Sequence, residues 1–288
     1  MKKEFLLIVK IGGSCFSDKK IPRSLHIDVI DSICEQLQGI DMPVVIVHGG
    51  GSYGHPVAKK YAIQEGRQDT IPDQALGFCK THDAMVELNH AIVGRFLAHD
   101  LPAYPVQTSA VFVQRDGEAV ISNLTPVDAL LDQGFMPVLY GDSVIDESRG
   151  FGIMSGDSVI VELANGLARR TSNIVYLMDV DGLHDKNPKL DASATLFTDV
   201  YLRGEHVLVP QGDSMVNIED AIEQADEAID VTGGILNKVR ALRNIKRKDI
   251  AIALINGRVP SRLAALIAGD DVPRTRITIL DDEGAIDG

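Results

Sequence analysis

The stretch VVIVHGGGSYGHP, residues 44–56, joins a strand-like apolar run to a glycine-rich turn. Its first four residues are apolar and β-branched, which is typical of a strand covered on both faces within a parallel sheet. Three glycines follow His48 directly, and glycine there lets the backbone approach a bound anion closely. The stretch therefore predicts an α/β fold with an anion site beyond the carboxyl end of this strand.

Apolar runs of the same kind alternate with helix-period segments along most of the chain. We predict strands over 5–10, 43–48, 135–141, 173–180, 250–256 and 276–280. We predict helices over 24–37, 73–99, 126–133, 157–168, 234–245 and 260–268. This alternation implies right-handed crossovers and a three-layer αβα sandwich with a mostly parallel central sheet. Residues 102–124 are interpreted as a hairpin lid around AYPV and EAVIS. Residues 203–230 are interpreted as a mixed loop that leads into an acidic, solvated helix face.

The composition narrows the classes of function. The 288 residues carry a net charge of −13 and are 45% hydrophobic but only 5% aromatic, without tryptophan. A general affinity for nucleic acid is not expected from this charge, so an anionic ligand would need a local cluster of donors and lysines. The three cysteines lack metal-binding spacing and favour a reducing, cytoplasmic location. We expect no signal peptide and no membrane span, because the apolar runs are too short.

The glycine loop also fits the dinucleotide pattern G-x-G-x-x-G, with Gly49, Gly51 and Gly54. That fingerprint requires an acidic residue at the end of the next strand, about 20 positions further on. Glu65 and Asp69 lie near that spacing, but no strand carries them. A nicotinamide-dependent dehydrogenase is therefore disfavoured, and the absence of G-x-x-x-x-G-K-[ST] excludes a P-loop.

Two lysines favour phosphate chemistry instead. Lys10 ends the first predicted strand just before Gly12 and Gly13, and Lys238 follows a second glycine pair, which ends at Gly234, by four residues. Separate glycine turns suggest two anionic groups held side by side, as in a phosphoryl donor and its acceptor. Phosphoryl transfer needs positioning and neutralisation of charge, and lysines with backbone amides supply both.

The motifs, taken in order, resemble those of the amino acid kinase superfamily. They are KIGGS (10–14), HGGGS (48–52), GD (141–142), SGD (155–157), MDVDGL (178–183) and TGGILNK (232–238). Within that superfamily, HGGGSYGH (48–55) and KIGGSCFSDK (10–19) are most similar to the isopentenyl phosphate kinase branch. The resemblance implies ATP and Mg²⁺ as cofactors, a small phosphorylated alcohol as acceptor, and a homodimer. It also implies one domain, 1–288, with an acceptor lobe at 1–150 and a nucleotide lobe at 151–288.

The resemblance assigns roles to individual residues. The expected catalytic residues are Lys10, Lys19, His55, Asp157 and Lys238. The expected acceptor-binding residues are Gly49, Gly54, His55 and Gly141. The expected ATP-binding residues are Lys10, Gly12, Gly13, Ser14, Gly50, Asp179, Gly182, Gly234 and Lys238. Lys20 is an alternative to Lys19, and Asp157 would orient the lysines or help to place Mg²⁺.

His55 agrees with a phosphorylated acceptor on chemical grounds. A phosphate monoester is largely dianionic at neutral pH, because its second pKa is near ~6. Such a nucleophile needs donors that hold it and needs no general base. Two alternatives stay open from the sequence. They are a phosphonate kinase of the fosfomycin-resistance type and a nucleotide-binding storage or sensor protein without turnover. An apolar stripe with Phe78, Met85 and Leu88 fits either an acceptor-tail pocket or plain core.

Overall fold

The structure, a computed structural model, describes residues 5–18, 20–212, 214–222 and 229–281. The first strands are β1 (Phe5–Ile11), β2 (Val44–His48), β3 (Ala103–Pro105), β4 (Phe112–Arg115), β5 (Glu118–Ser122), β6 (Met136–Tyr140), β7 (Asp142–Asp146) and β8 (Gly150–Met154). The later strands are β9 (Arg170–Met178), β10 (Asp199–Arg203), β11 (His206–Gln211), β12 (Ser214–Asn217), β13 (Ala251–Asn256) and β14 (Thr275–Ile279).

Helices connect most of these strands. They are α1 (Gly13–Phe16), α2 (Ile27–Gln38), α3 (Gly51–Lys60), α4 (Gln74–Ala98), α5 (Thr108–Val111), α6 (Thr125–Asp132), α7 (Gly156–Gly166), α8 (Ile218–Ile222), α9 (Ile229–Ala241) and α10 (Arg262–Ala268). Within the described ranges, none of them combines the length and the apolar character that a bilayer crossing needs.

One large sheet runs through both halves of the chain. Within the described residues it has the order β12-β11-β10-β14-β13-β9-β1-β2-β6-β3. The central strands β13, β9, β1, β2, β6 and β3 pair in parallel. Strand β1 lies between β2 from the first half and β9 from the second, so a crevice opens at its carboxyl end. Ligands bind at such positions in open α/β sheets.

The two faces of the sheet carry separate cores, as a three-layer sandwich requires. Alternate residues of β1 divide between them: Leu6 and Ile8 pack with apolar residues of α7 and α9, whereas Leu7 and Val9 pack with those of α2 and α4. All four side chains are fully buried. This two-sided burial explains the uninterrupted apolar runs, and the predicted fold class is confirmed.

Two local predictions were wrong, and one hairpin was missed. Within 203–230, which was predicted to begin as a mixed loop, the structure has the end of β10 and the strands β11 and β12. The hairpin of 102–124 is confined to β4 and β5, because the AYPV segment joins the main sheet as β3 beside β6. Strands β7 and β8 form a second hairpin that the sequence did not indicate. The acidic helix predicted within 203–230 lies partly outside the described residues.

Candidate active site

The glycine turns after β1 and β2 pack backbone against backbone. A Cβ atom at Gly13 would lie 2.6 Å from the backbone nitrogen of Gly51, and one at Gly49 would lie 3.1 Å from the nitrogen of Gly13. The Gly49 amide donates to the carbonyl of Ile11 at 3.0 Å, which fixes one turn on the other. Helix α3 begins at Gly51, so its positive end faces the same space.

The turn after β6 joins this cluster. The amide of Gly141 donates to the carbonyl of His48 at 3.1 Å, and a Cβ at Gly141 would lie 3.0 Å from the nitrogen of Gly156. Gly156 is the first residue of α7, whose N-cap Ser155 accepts a hydrogen bond from the Ser158 amide at 3.0 Å. The ends of three neighbouring strands and two helix N-termini therefore surround one crevice.

Lys10, Asp157 and Lys238 meet at this crevice. Lys10 Nζ forms an ion pair with Asp157 Oδ1, and Lys238 Nζ lies 3.4 Å from Asp157 Oδ2. Lys10 is only 3% exposed, whereas the Lys238 side chain is 32% exposed. One carboxylate thus orients two ammonium groups from opposite ends of the chain. Of the three residues predicted to be catalytic at these positions, both lysines contact Asp157.

The charges of this triad are finely balanced. Burial lowers the pKa of Lys10 to about 8, with Lys238 adding to the effect and Asp157 opposing it. Burial also disfavours the charged form of Asp157, but the two ammonium groups outweigh it and keep its pKa below the ordinary value. The triad therefore carries one net positive charge, which favours binding of a further anion such as a polyphosphate.

Tyr176 supports Lys10 from beneath and was not found by sequence reasoning. It occupies the position on β9 next to Lys10, and the Lys10 ammonium lies 5.5 Å from its ring centroid. The ring is 1% exposed, and its hydroxyl has no hydrogen-bond partner among the described residues. A buried aromatic face stabilises a desolvated cation, so Tyr176 helps to keep the Lys10 ammonium charged in a dry site.

His48 holds the second glycine turn from inside the core. Its Nδ1 lies 3.0 Å from the Gly49 carbonyl, its Nε2 lies 3.1 Å from Asn89 Nδ2, and its ring stacks on Tyr140. Because the Asn89 amide donates to Nε2, Nδ1 carries the proton and donates to Gly49. Burial lowers the pKa of His48 to about 4, so this histidine stays neutral and holds the Gly49 carbonyl in place.

His55 lies at the open side of the same loop. It is an exposed residue of α3, in the turn after Gly54. A Cβ at Gly50 would lie 3.3 Å from both His55 Cδ2 and the sulfur of Met85, and one at Gly54 would lie 2.5 Å from that sulfur. His55 and Met85 therefore lie next to each other at the surface of the glycine loop, beside Gly50. Of the residues predicted to bind the acceptor, Gly54 and His55 border this spot, whereas Gly49 packs on Gly13 and Gly141 packs on Gly156.

The predicted nucleotide-side residues lie beyond β9. The carboxylate of Asp179 pairs with Lys189, and a hydrogen bond from the Ser14 side chain contributes to lowering its pKa against the effect of burial. Gly182 packs against Thr275, because a Cβ at Gly182 would collide with the Thr275 hydroxyl. That hydroxyl also accepts the Leu183 amide at 2.9 Å. The motif glycine thus fits the C-terminal strand closely.

Arg258 secures the first glycine turn and was also missed. Its guanidinium donates to the carbonyls of Ser14 and Cys15 at 2.7 and 2.9 Å. Arg258 is separated from this turn by more than 240 residues, so no local pattern could reveal the contact. It closes the carboxyl side of the short helix α1, and the Gly12 amide donates to Leu177 at 2.8 Å on the other side.

Gly234 is exposed and lies inside α9, so the turn expected before Lys238 is wrong, and Lys238 lies in the last turn of that helix. Lys19 lies outside the described residues. Its neighbour Lys20 is exposed, and its amide donates to Asp18 Oδ1 at 2.9 Å.

The described part of the chain contains no group of three or more His, Cys, Asp or Glu side chains placed to hold a metal ion. Of the acidic residues predicted for the site, Asp157 contacts two lysines and Asp179 contacts one. A dedicated all-protein metal cage is therefore not present among these residues. The arrangement fits a site in which cationic side chains and amides bind phosphate groups directly.

Comparison with known proteins agrees with this geometry. The sequence model of the amino acid kinase family matches residues 6–256. The isopentenyl phosphate kinase of Methanocaldococcus jannaschii is 31% identical over 278 residues, which cover 92% of this chain and 96% of that protein. The isopentenyl phosphate kinase of Thermoplasma acidophilum is 31% identical over 259 residues, covering 90% of this chain and 94% of that protein.

Solved structures of kinases are also similar to this chain. A crystal structure of T. acidophilum isopentenyl phosphate kinase with product superimposes with a TM-score of 0.73 at 29% identity, covering 94% of this chain and 99% of that one. A UMP kinase from Ureaplasma parvum has a TM-score of 0.61 at 17% identity, covering 96% of this chain and 99% of that one. At that identity, the second likeness shows the shared fold alone.

Proposed function

The chain belongs to the amino acid kinase family, and from that premise we propose that it is an isopentenyl phosphate kinase. It transfers the γ-phosphoryl group of ATP to isopentenyl phosphate and forms isopentenyl diphosphate and ADP. The observation that carries this proposal is the contact of Lys10 and Lys238 with the two oxygens of Asp157 at the meeting point of the glycine turns. The kinase identity of the most similar relatives supports it.

The two sides of the crevice would bind different phosphates, those of ATP on one side and that of the acceptor on the other. Lys10 lies at the junction of β1, β2 and β9, where it can reach a phosphate from either side. The turn at Gly12 to Ser14 and the segment after β9 would hold ATP, and the loop from Gly49 to His55 would hold the acceptor phosphate. Apart from the Gly12–Ser14 turn, residues 1–150 would serve as the acceptor lobe and residues 151–288 as the nucleotide lobe.

The chemistry requires little beyond this arrangement. The acceptor oxygen is already deprotonated at neutral pH, so no general base is needed. His55 and the amides at the start of α3 hold the acceptor, and Lys10 and Lys238 neutralise charge that develops on the transferring phosphoryl group. Asp157 keeps both ammonium groups aimed at one point. We assign Lys19 a role in stabilising the transition state on the family resemblance alone.

Mg²⁺ fits this site as a companion of ATP. The ion commonly binds through substrate phosphates and waters with one or two carboxylates, which agrees with the absence of an acidic cage among the described residues. When bound, Mg²⁺ would neutralise charge on the phosphates of ATP. The protein's own contribution remains the lysine pair and the amides.

Cys15 and Cys34 are buried free thiols and Cys79 is an exposed one, which favours a reducing cytoplasm. A homodimer is proposed from the family resemblance. A phosphonate kinase would share the glycine loop, but no relative reported above has that activity.

A screen for ADP release tests the function. Purified protein is supplied with ATP and Mg²⁺ and one acceptor at a time: isopentenyl phosphate, fosfomycin, glutamate, N-acetylglutamate or UMP. We expect ADP formation that depends on isopentenyl phosphate and exceeds the rate with every other acceptor. A faster reaction with fosfomycin would establish the phosphonate kinase instead. Tight ATP binding without any acceptor-dependent ADP would indicate a binding protein.

A further inference from the structure

A histidine–aspartate pair lies beside the proposed acceptor seat and has no part in the mechanism above. His82 Nδ1 on α4 lies 3.0 and 3.1 Å from the two carboxylate oxygens of Asp142. The Asp142 side chain is fully buried and also accepts the amide of Ser143 at 2.8 Å and that of Ser109 at 3.3 Å. Asp142 directly follows Gly141, a residue assigned to the acceptor site.

One face of α4 shows where this pair lies. Phe78, His82, Met85 and Asn89 are spaced by three or four residues, so they form one stripe along the helix. At one end of the stripe, Asn89 contacts His48. Met85, the next member of the stripe, packs on the glycine loop. At the other end, the Phe78 ring lies 5.1 Å from that of Phe151. His82 therefore lies one turn beyond the residue that touches the acceptor loop.

His82 and Asp142 differ in how far their side chains are exposed to solvent. The His82 side chain is 28% exposed, whereas Asp142 is not exposed at all. A buried carboxylate near the seat of a dianionic ligand repels that ligand through a medium that screens charge poorly. Unless it is neutralised, Asp142 would oppose binding of a phosphorylated acceptor.

We propose that His82 is a positioning residue for the acceptor, because its imidazolium cancels the charge of Asp142 and so admits a dianionic phosphate monoester. This inference rests on the proposed function. The hydrogen bond to Asp142 raises the pKa of His82 above its ordinary value, although burial opposes the shift, and Asp83 on the same helix adds to it. The acceptor loop itself carries two titratable side chains, Tyr53 and His55 on α3.

The inference predicts a pH dependence with a definite sign. As the pH rises through the pKa of His82, the imidazolium loses its proton and the pair acquires a net negative charge. The affinity for a phosphate monoester then falls, while the affinity for ATP, whose proposed site lies across β1, follows a different profile. The acceptor's own ionisation acts equally on every variant, so the comparison of variants isolates His82.

The experiment compares four proteins from pH 6 to 9: the wild type, His82→Gln, Asp142→Asn and the double variant. The dissociation constants of isopentenyl phosphate and n-butyl phosphate are measured by calorimetry, together with the KM for isopentenyl phosphate. At pH 6.5, His82→Gln leaves Asp142 uncompensated, so we expect affinity to weaken by roughly tenfold. The double variant removes both charges and should recover most of that loss.

The outcomes separate the inference from the function. Equal monoester affinity in His82→Gln and the wild type at every pH would overturn the inference, as would a double variant no better than His82→Gln. The dissociation constant for ATP, unchanged in all four proteins, shows that each has folded. If the wild type binds both monoesters but phosphorylates neither, the proposed function fails and the affinities still test His82. A wild type that binds neither monoester overturns both.

Discussion

Lys10 at the end of β1 forms an ion pair with Asp157 in the first turn of α7, although 147 positions separate them in the chain. The same carboxylate receives Lys238 from α9. Because a single acidic side chain fixes both cations, the site depends on Asp157 as much as on the lysines that would contact phosphate.

The first prediction concerns that carboxylate. In Asp157→Asn, the two ammonium groups lose their shared counter-charge and repel each other, so we expect kcat to fall by about a hundredfold. Asp249→Asn is the matched control, because Asp249 pairs with Arg170 and Arg247 at an exposed site where such pairs contribute little. Steady-state kinetics of both variants should show the loss in Asp157→Asn alone. Equal rates in both would refute the orienting role.

The second prediction concerns pH. The pKa of Lys10 is lowered to about 8, so in the free enzyme its proton leaves as the pH rises through that value. The rate constant kcat/KM for ATP reports the free enzyme and should therefore decline above pH 8. The decline in kcat should occur at higher pH, because bound polyphosphate favours the charged lysine. A kcat/KM that stays level to pH 10 would disagree with the buried, partly discharged Lys10.

The third prediction separates the ring of Tyr176 from its hydroxyl. Tyr176→Phe keeps the aromatic face and removes a buried hydroxyl without a described partner, so it should retain activity and lose no stability. Tyr176→Leu removes the face beneath the Lys10 ammonium, so the decline of kcat/KM for ATP should move to lower pH by about one unit. Identical pH profiles for the two variants would assign Tyr176 to packing alone.

The fourth prediction concerns His55. Replacing it with alanine removes a donor from the acceptor loop, so we expect kcat/KM for isopentenyl phosphate to fall by about a hundredfold. The dissociation constant for ATP should change little, because the proposed nucleotide site lies on the other side of β1. His90→Ala, at an exposed position of α4, serves as control. A parallel loss of ATP affinity in His55→Ala would place the histidine at the nucleotide instead.

The sequence predicted the central strands and long helices well because their patterns are local and strong. The run at 44–47 is apolar at every position, and α4 was predicted over 73–99 against 74–98 observed. Strand β7 was missed because its ends are Asp142 and Asp146, which are buried acids that find their partners elsewhere in the fold. Strands β10 to β12 were missed because Gly204, Gly212 and Pro210 interrupt their alternation.

The residues of the candidate site also separate into those with a local sequence signal and those without one. Glycine turns and the lysines beside them are visible as short motifs, and Lys10 and Lys238 were predicted from them, whereas Asp157 was predicted from the family resemblance. Residues that act by long-range contact carry no such signal. Arg258 on the Ser14 carbonyl, Asn89 on His48 and Tyr176 beneath Lys10 are evident only when the chain has folded.

The transfer of label from [γ-³²P]ATP to isopentenyl phosphate tests the central claim most directly. The wild-type protein is incubated with labelled ATP, Mg²⁺ and isopentenyl phosphate, and the products are separated and identified by mass. The account predicts that label enters the terminal phosphate of isopentenyl diphosphate in equal amount to the ADP formed. Label that appears only as inorganic phosphate, or that enters another acceptor while isopentenyl phosphate stays unlabelled, would contradict it.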